Sequence, residues 1–263
     1  MSTDPTDAPR APLGVTWVGH ATVTLDLHGA RVLIDPLLKR HNGPLRRRFP
    51  MPSPEVYRGT DAILISHLHH DHAELPSLRL LPGVPVLTAP ENAAWVRRQG
   101  LRGVDLGEDW VPVGTGDVVV RLAPAVHGHR PMPHRPNAAN SHLIKSRDWR
   151  IWAVGDTELF DEMRLVPHQL GGAPDLVLVP IAGWGPRLSG GHLDPEQAAE
   201  VCARTRASRA LAVHWGTLHP PIIHRGTAPW IDRPHPAFAR ALERIAPECE
   251  LIDLRPGEST VVE

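Results

Sequence analysis

The stretch Asp61-Ala62-Ile63-Leu64-Ile65-Ser66-His67-Leu68-His69-His70-Asp71-His72 runs from an apolar, strand-like segment straight into five metal-capable side chains within six residues. A backbone leaving a strand splays alternate side chains, so His67 and His69 can grip one ion while Asp71 and His72 turn to a second. Imidazole nitrogen and carboxylate oxygen suit zinc, iron or manganese, and ligand type alone does not choose among them. The competing reading is a solvated histidine-rich loop, since the chain holds 17 His. The spacing, the strand ahead and the later histidines favour a metal site over that reading.

Upstream of this stretch, residues 13–17, 22–27 and 31–34 alternate as short strands, separated by turns such as His28-Gly29-Ala30, and form a meander that feeds the metal loop. Downstream, residues 90–99 read as a helix with Pro90 in its first turn and Gly100 just past its end. Further strands are expected over 84–88, 118–123, 141–145, 150–154 and 176–179. Asp194-Pro195-Glu196-Gln197 is a helix start in which Asp194 caps and Gln197 reaches back, and that helix should run to about residue 206. Phe238, Leu242 and Ile245 repeat at helical spacing until Pro247. Alternating strands and helices point to helices outside stacked sheets rather than to an all-β barrel.

At 263 residues the chain can bury a substantial core, and no repeat or low-complexity break divides it. A net charge of -1 gives no overall attraction to nucleic acid or an anionic membrane. Arg46-Arg47-Arg48 is the one basic block, read either as a solvated loop or as a contact for an anion. Lys39 and Lys145 are the only lysines, which fits a genome-composition bias. Cys202 and Cys249 are too few for a disulfide scaffold and read as reduced core residues. Residues 1–12 are polar and proline-rich without an apolar signal core, and no later segment approaches the ~20 apolar residues of a membrane span. The expectation is a cytoplasmic protein with a disordered tail over 1–12, one domain over 13–263 and no integral membrane segment.

Three later residues complete a candidate ligand set, each just beyond an apolar strand: His127 after 122–126, Asp156 after 151–155 and His214 after 210–213. Singly, each has an ordinary structural alternative, a buried hydrogen-bonded His or a capping Asp. The repeated design of strand followed by ligand makes ligation the better reading.

With these residues in place, the chain resembles the metallo-β-lactamase superfamily. Within it, the chain resembles the branch of N-acylphosphatidylethanolamine-hydrolysing phospholipase D and its bacterial relatives. His67-Leu68-His69-His70-Asp71-His72 carries the superfamily motif. More specific to this branch are Trp17-Val18-Gly19-His20-Ala21-Thr22, Leu33-Ile34-Asp35-Pro36, the Arg- and Pro-containing segment 43–54, and Gly155-Asp156-Thr157. Pro180-Ile181-Ala182-Gly183-Trp184-Gly185-Pro186-Arg187, Gly191-His192-Leu193-Asp194 and Val213-His214-Trp215-Gly216-Thr217 extend the pattern. The resemblance implies an α/β fold, the αββα sandwich of two mixed sheets flanked by helices, with metals in a cleft at one edge. It implies that His67, His69 and His127 hold one ion, that Asp71, His72 and His214 hold another, and that Asp156 bridges them. Departures from the branch are His70 where an aromatic is frequent, Gly128 where Trp is usual, and Glu158-Leu159-Phe160 in place of a Gly-aromatic pair.

Two divalent ions, Zn2+ with Mn2+ or Fe2+ as alternatives, acidify a shared water and polarise a phosphoryl or carbonyl oxygen, which makes hydrolysis the expected reaction. No Gly-x-Ser-x-Gly elbow or nearby Cys supplies a covalent nucleophile. Asp71 and His192 are the candidate catalytic residues. Asp71 would accept a proton beside its ligand role, and His192 would hydrogen-bond a substrate oxygen or leaving group. His20 and Asp35 are expected to orient ligands without touching an ion. Trp184 and Arg187 are expected to line the pocket as an apolar wall and an anion clamp. His129 is the fallback if His127 is not the third ligand. The leading expectation is hydrolysis of a small or lipid-like phosphodiester. A sugar-phosphate-type lactonase and a non-hydrolytic metal sensor are the alternatives. Nucleic-acid processing fits poorly with the neutral charge balance, and nothing in the sequence signals an oligomeric state.

Overall fold

The computed structural model describes residues 10–128, 134–183, 185–220 and 228–263. Two seven-stranded sheets dominate it. In the first, Leu13–Gly19, Thr22–Leu27 and Ala30–Ile34 form the expected antiparallel meander, and Ala62–Leu64, Val86–Thr88 and Gly103–Asp105 extend it in parallel. Its other edge is closed by Glu258–Val262, antiparallel to Leu13–Gly19. The second sheet starts antiparallel through Val111–Val113, Val118–Pro124, Asn140–Lys145 and Arg150–Ala153. It continues parallel through Leu176–Pro180, Arg209–Val213 and Glu250–Ile252.

Strand parity builds four layers. Val32, Ile34, Ala62 and Leu64 point between the sheets, where they meet Val120, Ile144, Ile151 and Leu178 of the second sheet. Leu33, Ile63 and Ile65 point the other way, onto Trp95 and Val96 of the helix Pro90–Arg98. On the far side Val177, Val179, Ala210 and Ala212 pack against Ala198, Val201 and Cys202 of Pro195–Thr205 and Phe238, Ala241 and Leu242 of Pro234–Ile245. Hydrophobic runs covered on both faces are what a parallel sheet requires. This is the αββα sandwich expected from the sequence. The expected Asp194 cap is present: Gln197 N–H donates to Asp194 Oδ1 at 2.8 Å, and Asp194 N–H donates to Gln197 Oε1 at 3.1 Å. Cys202 and Cys249 are both buried free thiols.

Arg10 to Pro12, assigned to the tail from the sequence, lie against the second sheet. The Arg10 guanidinium stacks 3.3 Å from the Trp149 ring centroid, and Trp149 Nε1–H donates to the Ala11 carbonyl at 2.7 Å. The remainder of that tail lies outside the described residues. Neither reading of Arg46-Arg47-Arg48 fits the middle residue. Arg47 is 4% exposed and donates to the Val18 carbonyl at 2.9 Å and to the Leu37 carbonyl. It sits on Leu45–Arg47, the centre of a three-stranded ribbon with His41–Asn42 and Leu218–His219, and strand alternation turns it inward.

Trp17 joins this core to the site. It is fully buried, its ring lies 5.2 Å from that of Trp215, and its Nε1–H donates to the His20 carbonyl at 2.9 Å. Trp17→Ala should cost about 3–5 kcal/mol, read as a lower urea midpoint with unchanged slope. A loss under about 1 kcal/mol would show that Trp215 collapses into the space.

Candidate metal centre

Val118–Pro124, Arg150–Ala153, Leu176–Pro180 and Arg209–Val213 run in one direction, so their C-terminal ends open at one end of the sandwich. The loops leaving them carry His127, Asp156, His192 and His214, and the loop after Ala62–Leu64 carries His67 to His72. Asp156 is the hub. Its Oδ2 lies 3.2 Å from His72 Nε2, 3.3 Å from both His192 Nε2 and His214 Nε2, 3.9 Å from His127 Nε2 and 4.0 Å from His67 Nε2. On one side His69 Nδ1 is 2.9 Å from His67 Nε2 and 3.1 Å from His127 Nε2. On the other, His72 Nε2 and His214 Nε2 are 3.1 Å apart, and Asp71 Oδ2 is 3.7 Å from His214 Nε2.

A tetrahedron of nitrogens around zinc has edges of about 3.3 Å, so these nitrogens already stand at ligand spacing. Repulsion between their lone pairs needs a cation or a shared proton to offset it. Asp156 Oδ1 is buried without a hydrogen-bond partner, a second sign that the donor set fits a metal. The groups converge as His67-His69-His127, as His20-Asp71-His72-His214, and around Asp156 with His67-His72 and with His127-His192.

What the other ring nitrogens do explains the aim. His67 Nδ1–H donates to Ser66 Oγ at 3.0 Å and His72 Nδ1–H to Asp35 Oδ2 at 2.8 Å. His127 Nδ1–H donates to the Gly191 carbonyl at 2.6 Å and His214 Nδ1–H to the Ala182 carbonyl at 2.7 Å. Each bond fixes the tautomer that leaves Nε2 free to face the centre. Asp35 also accepts from Ser66 N–H and Oγ–H at 2.8 and 2.7 Å. Gly191 takes φ +81°, and a Cβ there would stand 2.6 Å from His127 Nδ1, so only glycine lets its carbonyl come so close. His20, Asp35 and His214 hold φ of 54°, 41° and 65°, left-handed conformations gathered at one place.

His20 lies beside the second group as the sequence suggested. Its Nε2–H donates to Asp71 Oδ2 at 3.0 Å and its ring centroid lies 4.0 Å from that of His214, the planes tilted by 38°. Asp71 is the most open of the carboxylates, its side chain 24% exposed against 3% for Asp156. Arg187 is exposed in the loop leading to His192 and makes no polar contact with the cluster. Trp184 and the fallback His129 lie outside the described residues. Sequence reasoning passed over Ser66, the anchor of Asp35 and His67, and Thr217, whose Oγ1 accepts from His20 N–H. Ser66's position between strand and motif was the available signal.

Burial pushes His67 well below the ordinary imidazole range, with His72 adding to the effect. Burial and His214 bring His20 down to about 4, and burial brings His127 down to about 4 against the pull of Asp156. Burial opposes ionisation of Asp156 and Asp71 as well. Even so, His214 and His72 hold Asp156, and the His20 bond holds Asp71, well below the usual carboxylate range. His72 goes the other way: Asp156 and Asp35 outweigh burial and raise it well above its ordinary value. The centre thus keeps Asp71 and Asp156 ionised and favours neutral His67 and His127, the forms in which these side chains bind a cation.

His142, fully buried behind Asp35, has no well-formed hydrogen bond to either ring nitrogen. Burial holds it down to about 4 against Asp35 and the Leu87 backbone. Below 6.5 the unfolded chain binds a proton that the folded chain refuses until about pH 4, so folding loses stability as pH falls through that window. His142→Leu should remove about 3 kcal/mol of this acid-side loss, measured by urea unfolding of chelated protein at pH 7.5 and near 4. An unchanged pH slope would show that the ring is not buried neutral.

The architecture and this donor set are those of metal-dependent hydrolases, and comparison with known proteins agrees. A Beta-lactamase superfamily domain model matches residues 30–215. N-acyl-phosphatidylethanolamine-hydrolyzing phospholipase D 1 of Caenorhabditis elegans is 28% identical over 78% of this chain, which spans 64% of the worm protein's length. A UPF0173 metal-dependent hydrolase of Azorhizobium caulinodans is 32% identical over 77% of this chain and 85% of its own. Among solved structures, Igni18, a metallo hydrolase from Ignicoccus hospitalis, shares the fold at TM-score 0.74 and 22% identity, covering 96% of this chain and 99% of that one. The chain belongs to the metallo-β-lactamase superfamily and is a metal-dependent hydrolase. Among the described residues no helix is long and apolar enough to cross a membrane.

Proposed function

We propose that the protein is a phosphodiesterase of the phospholipase D type, acting on a small or lipid-like phosphodiester with two divalent ions, Zn2+ with Mn2+ or Fe2+ as alternatives. The carrying observation is Asp156 Oδ2, within 3.2–4.0 Å of the Nε2 atoms of His67 and His127 on one side and of His72 and His214 on the other, with His192 Nε2 at 3.3 Å outside both groups. His67, His69 and His127 would hold one ion and Asp71, His72 and His214 the other, with Asp156 shared between them. When bound, such ions supply Lewis acidity and an acidified water. The substrate class is supported by the likeness to the worm phospholipase D.

The chain's own residues do the rest. His20 fixes Asp71 through Oδ2, leaving the carboxylate on the open side to accept the proton of the attacking water. Asp35 and Ser66 lock the rings of His72 and His67. His192 is only partly exposed, with Nε2 3.3 Å from Asp156 Oδ2. Burial works against its charge and the Asp156 bond raises it; by its position at the cleft beside Asp156 we assign the ring the proton that goes to the leaving oxygen.

The test is hydrolysis of bis(p-nitrophenyl) phosphate beside a simple lactone, with metal-reconstituted protein and a chelated control. Chelator-sensitive cleavage of the diester with an inert lactone is expected. Lactone turnover with an inert diester would overturn the reading in favour of a lactonase.

A further inference from the structure

The ribbon beside the metal centre carries a second feature. His41 and His219 each stand directly opposite Arg46 in its antiparallel register, so all three side chains share one face. The neighbouring arginines divide their work. Arg47 is turned into the protein, and Arg48 forms a bidentate pair with Asp232 at 2.6 and 2.9 Å. Arg40 and Arg46 are exposed, and neither side chain has a partner among the described residues.

These arginines line a cavity of about 520 Å³ together with Phe49, Pro50, Met51 and His219, and no carboxylate is among its lining residues. Arg47 lines it too, and although only 4% exposed it leaves Nε–H without an acceptor. In a chain of net charge -1, Arg40 and Arg46 are a local concentration of positive charge, while Arg47 and Arg48, which also line the cavity, are offset by Glu74 and Asp232. Met51 is 47% exposed on the cavity's apolar wall. The planar guanidinia of Arg40 and Arg46, exposed at one cavity, can receive a tetrahedral oxyanion, and the volume has room for more than the anion alone.

We infer that this cavity is a binding site for the phosphate group of an organophosphate, gripped by Arg40 and Arg46, with its apolar part on Phe49 and Met51. The site is separate from the metal centre and does not depend on the reaction proposed there. The phosphate can belong to a membrane lipid headgroup or to a soluble metabolite.

Isothermal titration of the metal-loaded protein with inorganic phosphate, run beside the Arg40→Gln/Arg46→Gln variant, tests the site. Cosedimentation of both with phosphatidylcholine vesicles containing phosphatidylglycerol tests the source. The variant should bind phosphate at least about tenfold more weakly, with metal content, melting temperature and bis(p-nitrophenyl) phosphate hydrolysis unchanged. Loss of vesicle cosedimentation in the variant would assign the lipid headgroup. Loss of phosphate binding alone would assign a soluble organophosphate. Equal behaviour of variant and wild type in both arms would overturn the inference. If the double variant melts early, Arg40→Gln alone, at an exposed position off the ribbon strands, repeats the comparison.

Discussion

Asp156→Ala is expected to strip the centre of metal and abolish hydrolysis together. The carboxylate is 3% exposed and its Oδ2 is the one atom that both histidine groups share. Without it the imidazoles lose their common counter-charge, and His72, held above its ordinary value by Asp156 and Asp35 against burial, loses the stronger of those two anions. The size of the loss identifies the role. Groups that merely orient a ligand cost about 10–100-fold in metal affinity, whereas a shared ligand should cost well beyond that and take the rate down by more than about 10³-fold. Asp156→Asn keeps shape and removes charge, so it should fall almost as far. Metal content after dialysis and diester hydrolysis are the readouts. Full metal retention in both variants would remove Asp156 from the ligand set and leave the two groups as separate sites.

How far such residues can be seen in a sequence depends on how local their geometry is. His67, His69, Asp71 and His72 are legible because one strand end and one tight loop place them all. His127, Asp156 and His214 are legible because each follows an apolar strand, and strand ends at one side of a sheet converge whatever the loops do. The inter-sheet parity of Val32, Ile34 and Leu64 against Leu33 and Ile63 follows from the same period of two. The ribbon did not declare itself, since strands of two or three residues show no period. Arg47 therefore read as one of three equivalent cations, although alternation buries it. The strand Glu258–Val262 was equally silent, because its partner, Leu13–Gly19, lies at the opposite end of the chain. Ser66 acts through its N–H and Oγ–H bonds to Asp35, and Thr217 by accepting from His20 N–H, contacts that no spacing encodes.

His192→Ala is expected to leave metal content intact and lower kcat by about 10²–10³-fold, with a smaller change in KM. Geometry alone leaves two roles open for this residue, because its Nε2 stands at ligand distance from Asp156 and within reach of His127. The bonding of its other nitrogen separates them. His72, His127 and His214 are locked by Nδ1 bonds of 2.8, 2.6 and 2.7 Å to Asp35 and to the Gly191 and Ala182 carbonyls, whereas His192 Nδ1 lies 3.1 Å from Ser189 Oγ, 3.2 Å from the Ser189 carbonyl and 3.3 Å from the Gly190 carbonyl. A ring held by three long contacts in a loop can turn with a reacting group, which suits proton donation better than permanent ligation. A lost proton donor also has a signature that lost packing lacks. The alkaline limb of the kcat profile should disappear in His192→Ala, and a diester with a p-nitrophenolate leaving group, which needs little protonation, should be cleaved with a smaller deficit than an alkyl diester. An equal deficit on both substrates would return His192 to a packing role, and a parallel fall in metal content would make it a ligand.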